Sequence, residues 1–160
     1  LIGYLSESNP KYILIYSGIN DCRPEAFSEL QKELISASTF IFAKYLRKHL
    51  TNRKLISYRN KYRLKPRRFR SVFSRIKLIF PDSKIIVNEI SSSPIYERAR
   101  PGVISRMKIY NQILKELYPE TFVQNYNDLI SNNGFATDNL HLNKAGHMVV
   151  AKNISSFIEQ

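Results

Sequence analysis

The chain has 160 residues, 43% of them apolar, which is enough for one domain with a core of its own. Its single cysteine, Cys22, excludes an intrachain disulfide scaffold and leaves the compartment open, the cytoplasm slightly favoured. The net charge of +12 has the look of a nucleic-acid binder until it is localised: residues 35–80 hold no Asp or Glu and 14 of the 25 basic residues, leaving 11 basic against 13 acidic elsewhere. The excess therefore belongs to one segment and not to the fold.

No run of 18 apolar residues is present, so no membrane span is expected; the best stretch, residues 35–43, is too short and ends at Lys44. The first residues, Leu1 to Tyr4, lack the charged and long apolar regions of a signal peptide. The chain does not start with Met, which leads to the expectation that it begins inside something larger or was cut.

Residues 11–17 are apolar and rich in β-formers, follow Asn9-Pro10 and stop at Gly18, as a buried strand does. Asp21 and Pro24 then predict a helix from about Glu25, with Phe27, Leu30, Leu34, Ala37 and Ile41 packing on the sheet. From 47 to 70 the pattern gives way to a basic insert mixed with Tyr, Leu and Phe and broken at Pro66. A second helix is expected over 67–80, with Phe69, Val72, Phe73, Ile76 and Ile79 on one side. A turn at 81–83 leads to a second strand, 84–90, and a loop, 91–102. A helix over 103–118 is apolar at Val103, Met107, Tyr110, Ile113, Leu114 and Leu117. A short third strand at 121–124, a turn at 132–134 and a final helix over 142–158, capped by Asn143, complete the chain. Strands alternating with helices of this length predict an α/β layer fold whose three strands are parallel and adjacent. There are no internal repeats.

Two short motifs carry chemistry. Gly18-Ile19-Asn20-Asp21 lies at the carboxyl end of a strand, where open α/β sheets bind ligands. Gly18 turns the backbone off the strand, and Asn20 can aim an amide N–H at a developing oxyanion, a donor whose loss costs ~10²–10³ in rate. Gly, Asn and Asp are also ordinary turn residues. Asp138-Asn139-Leu140-His141 lies in the loop before the last helix. An Asp three residues before a His on a bend can hold the imidazole as a general base; an Asp capping a turn beside an exposed His is the plainer alternative.

In this order and these settings, the two motifs resemble those of the SGNH (GDSL-type) hydrolase family, in which Gly-x-Asn-Asp ends the third strand of a flavodoxin-like domain and Asp-x-x-His precedes the last helix. Residues 138–147 are similar to that family's final block, and residues 12–17, 84–90 and the Pro101-Gly-Val to Tyr110-Asn111 helix fit in order, so the resemblance spans nearly the whole chain. It implies a three-layer α/β/α fold, N-terminally incomplete, comprising residues 1–160 with a basic insert at about 47–70. It implies that Asn20 is the oxyanion-hole amide, that His141 deprotonates a serine, that Asp138 orients His141, and that Gly18 and Asp21 shape the turn. The family's Gly-Asp-Ser block, with the nucleophile, and its oxyanion-hole glycine block are missing and expected upstream of Leu1; Gly3 is too close to the strand to be that glycine. Without the family's first strand, residues 12–16 become a sheet edge, and the isolated chain is expected to be dimeric, aggregated or partly molten.

Other residues have competing readings. Cys22 is a candidate nucleophile or a small buried residue. Ser91, Ser92 and Ser93 face the crevice as a wall. Arg98 and Arg100 hold an anionic substrate or are solvated loop charge. His147 packs or lies at the surface, His49 belongs to the insert, and no metal-like cluster or cofactor motif is present. The insert binds an anionic surface, with Tyr58, Tyr62 and Phe69 available to stack on sugars or bases, or is a solvated helical excursion; nucleic acid is the less expected partner. Two functions follow: a serine esterase acting on a small-molecule or carbohydrate ester, inactive as this chain alone, or a non-catalytic module binding an anionic polymer.

Overall fold

The computed structural model describes residues 10–37, 44, 49 and 51–159. In chain order these form β1 (Tyr12–Ile15), α1 (Ile19–Cys22), β2 (Pro24–Glu25), α2 (Glu29–Ala37), α3 (Arg53–Arg59), β3 (Lys61–Tyr62), α4 (Pro66–Ile79), β4 (Lys84–Asn88), α5 (Tyr96–Ala99), α6 (Val103–Leu117), β5 (Phe122–Val123), α7 (Tyr126–Ser131) and α8 (Lys144–Ile158).

The architecture is mixed α/β around a three-stranded parallel sheet of order β1-β4-β5. Tyr12 lies opposite Lys84 and Ile15 opposite Val87, while Asn88 lies opposite Val123. The strands are shorter than the apolar runs that announce them. Residues 16–17 and 89–90 leave the sheet at its carboxyl end and become loop, and there the candidate site is built.

Successive β4 side chains point to opposite faces. Ile85 and Val87 join the main core with Phe69 and Phe73 of α4 and Val103, Met107, Tyr110 and Leu114 of α6. Pro66 opens α4 at a position where its missing N–H costs nothing. Phe69 is fully buried, its ring 4.4 Å from Phe73 and 4.7 Å from Tyr110. The buried tyrosines keep their hydroxyls satisfied: Tyr110 donates to the Leu64 carbonyl and Tyr118 to that of Phe73 at 2.7 Å. Asn88, fully buried, accepts from Asn125 Nδ2 at 2.8 Å, and Asn125 Oδ1 accepts from Asn153 of α8 at 2.8 Å. This amide chain ties β4 and the end of β5 to the last helix, beside a second apolar cluster of Leu129, Val150 and Ile154.

Three expectations are corrected. The helix expected from about Glu25 does not start there: β2 pairs antiparallel with β3. Glu25 is buried and draws in Arg23 at 2.8 Å, Lys32 at 3.5 Å and Arg100 at 4.0 Å, because a buried carboxylate must be paired. α2 begins at Glu29, where the Ser28 N–H donates to Gln31 Oε1 and the Gln31 N–H to Ser28 Oγ, a reciprocal capping box. Its expected apolar stripe does not pack on the sheet, since Leu30 and Leu34 are exposed and Ile35 is the buried residue; Ile41 lies outside the described residues. On α4, Val72 and Ile79 are also exposed, so the buried stripe is narrower than expected.

Where it is described, the basic insert is folded; residues 47, 48 and 50 lie outside the described set. Asn52 caps α3 by accepting from the Leu55 N–H at 3.1 Å, and Asn60 ends it in the left-handed region at φ 41°. Arg106 of α6, almost fully buried, then anchors the unit by donating to the Asn60 and Lys61 carbonyls, its guanidinium 3.8 Å from the Tyr62 ring centroid. β1 is an edge of the sheet among the described residues, with Leu14 and Tyr16 exposed. No helix among the described residues is long and apolar enough to cross a membrane.

Candidate active site

Three segments meet at the carboxyl end of the sheet. The first leaves β1 through Gly18, at φ 117°, whose carbonyl accepts from the N–H groups of Asp21 and Cys22 at 3.0 and 3.1 Å. A side chain at Gly18 would be strained by that φ and would also meet Ile90 Cδ1 at 2.6 Å. The second leaves β4 through Ile90, whose backbone is held on both sides by one amide: its N–H donates to Asn111 Oδ1 at 2.8 Å, and Asn111 Nδ2 donates to its carbonyl at 2.9 Å. The third is the loop before α8, closed by a Phe135–Leu142 bridge and by Ala136 N–H donating to the His141 carbonyl at 2.8 Å. It is tied to the second segment by Ser93 N–H donating to the Asn139 carbonyl at 3.0 Å.

Within this loop Asp138 and His141 are in contact. Asp138 Oδ1 accepts from the Leu140 and His141 backbone N–H groups, each at 3.0 Å, which fixes the bend. Asp138 Oδ2 is then 2.5 Å from His141 Nδ1. That imidazole contact, helped by the two backbone donors, holds the Asp138 carboxyl well below the usual range, at about 2. An ionised carboxylate only accepts, so Nδ1 carries the proton, and in the neutral imidazole the lone pair that can take a proton from elsewhere is then on Nε2. The pair stands in the open, with His141 76% and Asp138 49% exposed at the side chain.

His141 lines a cavity of about 260 Å³. Ile19, Ile90, Leu140 and Leu142 give it apolar walls, and Tyr16, Ser17, Ser91 and His147 bring polar atoms to it. Ser91 is buried and shares a 3.4 Å hydrogen bond with the Tyr16 hydroxyl, whose pKa burial pushes up.

The other sequence-picked residues are distributed as follows. Asn20 is exposed on α1, next to Ile19, at the same end of the sheet but not among the residues lining the cavity. Asp21 is half-buried, its carboxyl raised by burial against the pull of Arg63, while the turn it follows is closed by backbone bonds. Cys22 is fully buried, its thiol pushed up to about 12 by burial and donating to the Ile19 carbonyl at 3.3 Å, which makes it a core residue and a poor nucleophile. Ser92 is buried against Met107 and Ser93 caps Ile95. Arg98 is exposed, whereas Arg100 is half-buried beside Glu25 and is not solvated loop charge. His49 lies in the insert, its carbonyl accepting from Asn52. Of the three insert aromatics, Tyr58 is exposed, Tyr62 has a guanidinium on its face, and Phe69 is core and cannot stack on a ligand. Sequence reasoning missed His147 and Ser17 as cavity walls; the one available signal was that His147 lies in the first turns of a helix following the His141 loop.

Among the described residues no group of three or more His, Cys, Asp or Glu is placed to hold a metal. Compared with known proteins, the chain matches no family model, no curated protein and no solved structure.

Proposed function

We propose that the protein is a serine-type ester hydrolase of the SGNH kind, built on a three-layer flavodoxin-like domain and acting on small acyl esters, O-acylated carbohydrate among them. The observation that carries the reading is the Asp138–His141 pair, bonded at 2.5 Å, with His141 on the wall of a small, mainly apolar cavity. In this mechanism His141 Nε2 takes the proton of a serine hydroxyl as that oxygen attacks the ester carbonyl, then returns it to the leaving alcohol; water repeats the cycle on the acyl-enzyme. Asp138 steadies the imidazolium, and Asn20 donates its amide N–H to the oxyanion. On the family resemblance the serine belongs to a Gly-Asp-Ser block, which does not occur among these 160 residues.

Hydrolysis of p-nitrophenyl acetate tests this. The protein carrying the Gly-Asp-Ser segment turns over, the 160-residue chain does not, and His141→Ala lowers the rate by ~10³-fold or more. A longer protein with no ester hydrolysis, or one indifferent to His141→Ala, ends the proposal. Turnover by the 160-residue chain would move the nucleophile to a cavity residue, Ser17 or Ser91.

A second reading, a non-catalytic module that binds a polyanion, is favoured by the exposed insert cations Arg53 and Lys54, whose side chains have no partner among the described residues. An inactive longer protein that still binds a polyanion would select it.

A further inference from the structure

The insert forms one wall of an open groove of about 740 Å³, lined by Arg53, Lys54, Ser57 and Tyr58 of α3 and by Pro101 across from them. The four α3 residues fall at helical spacing, on one face. Tyr58 is 87% exposed. Of the insert's other cations, Arg59 donates to Gln31 and Arg70 to Glu116, while Lys61, Lys65, Arg67 and Arg68 are exposed away from this groove's lining. Arg53 and Lys54 have no hydrogen bond or ion pair among the described residues, so their charge faces outward.

The groove stands at the same end of the sheet as the cavity. α3 runs into β3, β3 pairs with β2, and β2 follows α1 directly off the carboxyl end of β1. Pro101 ends the loop that leaves the carboxyl end of β4.

We propose that this groove is a subsite for a uronate-type sugar of an acidic glycan, the Tyr58 ring lying against the C–H face of the sugar while Arg53 and Lys54 take its carboxylate. A guanidinium matches a carboxylate with two parallel N–H donors, and an ammonium beside it adds charge without demanding geometry. One free ring with two cations and the Ser57 hydroxyl suits a single sugar. Single-stranded nucleic acid is held by successive stacking platforms, and here the other two aromatics of the insert are taken, Tyr62 by Arg106 and Phe69 by the core. The proposal rests on the ester-hydrolase reading for the acyl group that such a glycan would carry, and not for the binding itself.

The test is calorimetric titration of the chain, at low salt, with an unacylated tetragalacturonate, a neutral galacto-oligosaccharide of equal length and a single-stranded oligonucleotide of equal charge. The uronate binds at least about tenfold more tightly than the neutral sugar, Tyr58→Ala weakens it about tenfold, and the Arg53→Gln/Lys54→Gln double variant erases the preference for acid. All three side chains are exposed, so these changes leave the fold intact, which a thermal melt checks. Equal binding of acidic and neutral sugars overturns the proposal, as does wild-type affinity in Tyr58→Ala. An oligonucleotide that binds more tightly than the uronate, and loses that binding in the same variants, overturns it in favour of nucleic acid. No ester is present, so an inactive esterase would leave these results standing, and a failed titration would leave the Asp138–His141 reading standing.

Discussion

Replacing Gly146 by Ala strikes the joint that carries the Asp138–His141 loop. Gly146 lies in the first turn of α8, and a Cβ there would sit 2.1 Å from the Gly134 carbonyl oxygen and 2.9 Å from its carbon. Ordinary contact begins at 3.4 Å, so the helix and the loop must part by about 1.3 Å, and both obstacles are backbone. Parting them disturbs the Asn143 N–H to Gly134 bond at 3.0 Å, the Asn143 Nδ2 to Phe135 bond at 3.0 Å and the Asn143 cap on Gly146 N–H at 3.0 Å. Overpacking costs ~1–3 kcal/mol and a lost cap or hydrogen bond ~1 kcal/mol each, against a gain of ~1 kcal/mol from alanine's helix propensity. The net is about 2–4 kcal/mol, or a melting point lower by about 5–15 °C in a domain of this size. A calorimetric or circular-dichroism melt reads it directly. In the active protein, a shift of His141 on the order of 1 Å would also cost ~10²-fold in rate. A Gly146→Ala variant that melts at or above the parent temperature refutes the reasoning, because the loop and α8 would then not be locked together at this contact.

Three further outcomes follow from the site and the sheet edge. The Asp138 carboxyl should titrate near 2 by carbon NMR; removing, with His141→Gln, the imidazole that chiefly lowers it should raise the midpoint toward the ordinary aspartate value, and an unmoved midpoint would mean the two side chains are apart in solution. Because the folded value is depressed, the Asp138 carboxylate stays ionised as pH falls below the unfolded carboxyl's range, and its stabilising contribution is lost as pH passes through about 2. Asn20→Ala should lower the turnover of the active protein by ~10²–10³ with no change in melting, since the side chain is exposed; an unchanged rate removes it from the oxyanion hole. The 160-residue chain should self-associate through β1, and Leu14→Lys should reduce this by light scattering, whereas a monomeric parent with a sharp melt would show that the edge is protected.

What was legible in the sequence was what is local. The three strands are apolar runs ended by Gly, Asn or loop residues, and their parallel pairing was expected from the strand–helix alternation together with the crossover lengths. The last helix starts at its Asn143 cap, and an Asp three residues before a His could reach it because the intervening N–H groups bend the loop around Oδ1. What was missed depends on distant partners. Pro24 and Glu25 look like a helix start until the carboxylate is buried among Arg23, Lys32 and Arg100, and the true start at Ser28 was readable in its pairing with Gln31. Phe69, an aromatic among arginines, had both an apolar-face and a ligand-stacking reading, and only its packing between α4 and α6 decides for the core. His147 becomes a cavity wall only when α8 docks beneath the loop.

The Arg106 anchor separates how the insert is held from what it displays. Its grip falls largely on main-chain carbonyls, those of Asn60 and Lys61, which every amino acid offers. The outward residues of α3 can therefore be exchanged, in charge and in shape, without loosening the attachment. A library randomised at Arg53, Lys54, Ser57 and Tyr58 should consequently keep its fold while its ligand preference drifts, which makes the insert a changeable reading head on a fixed mount.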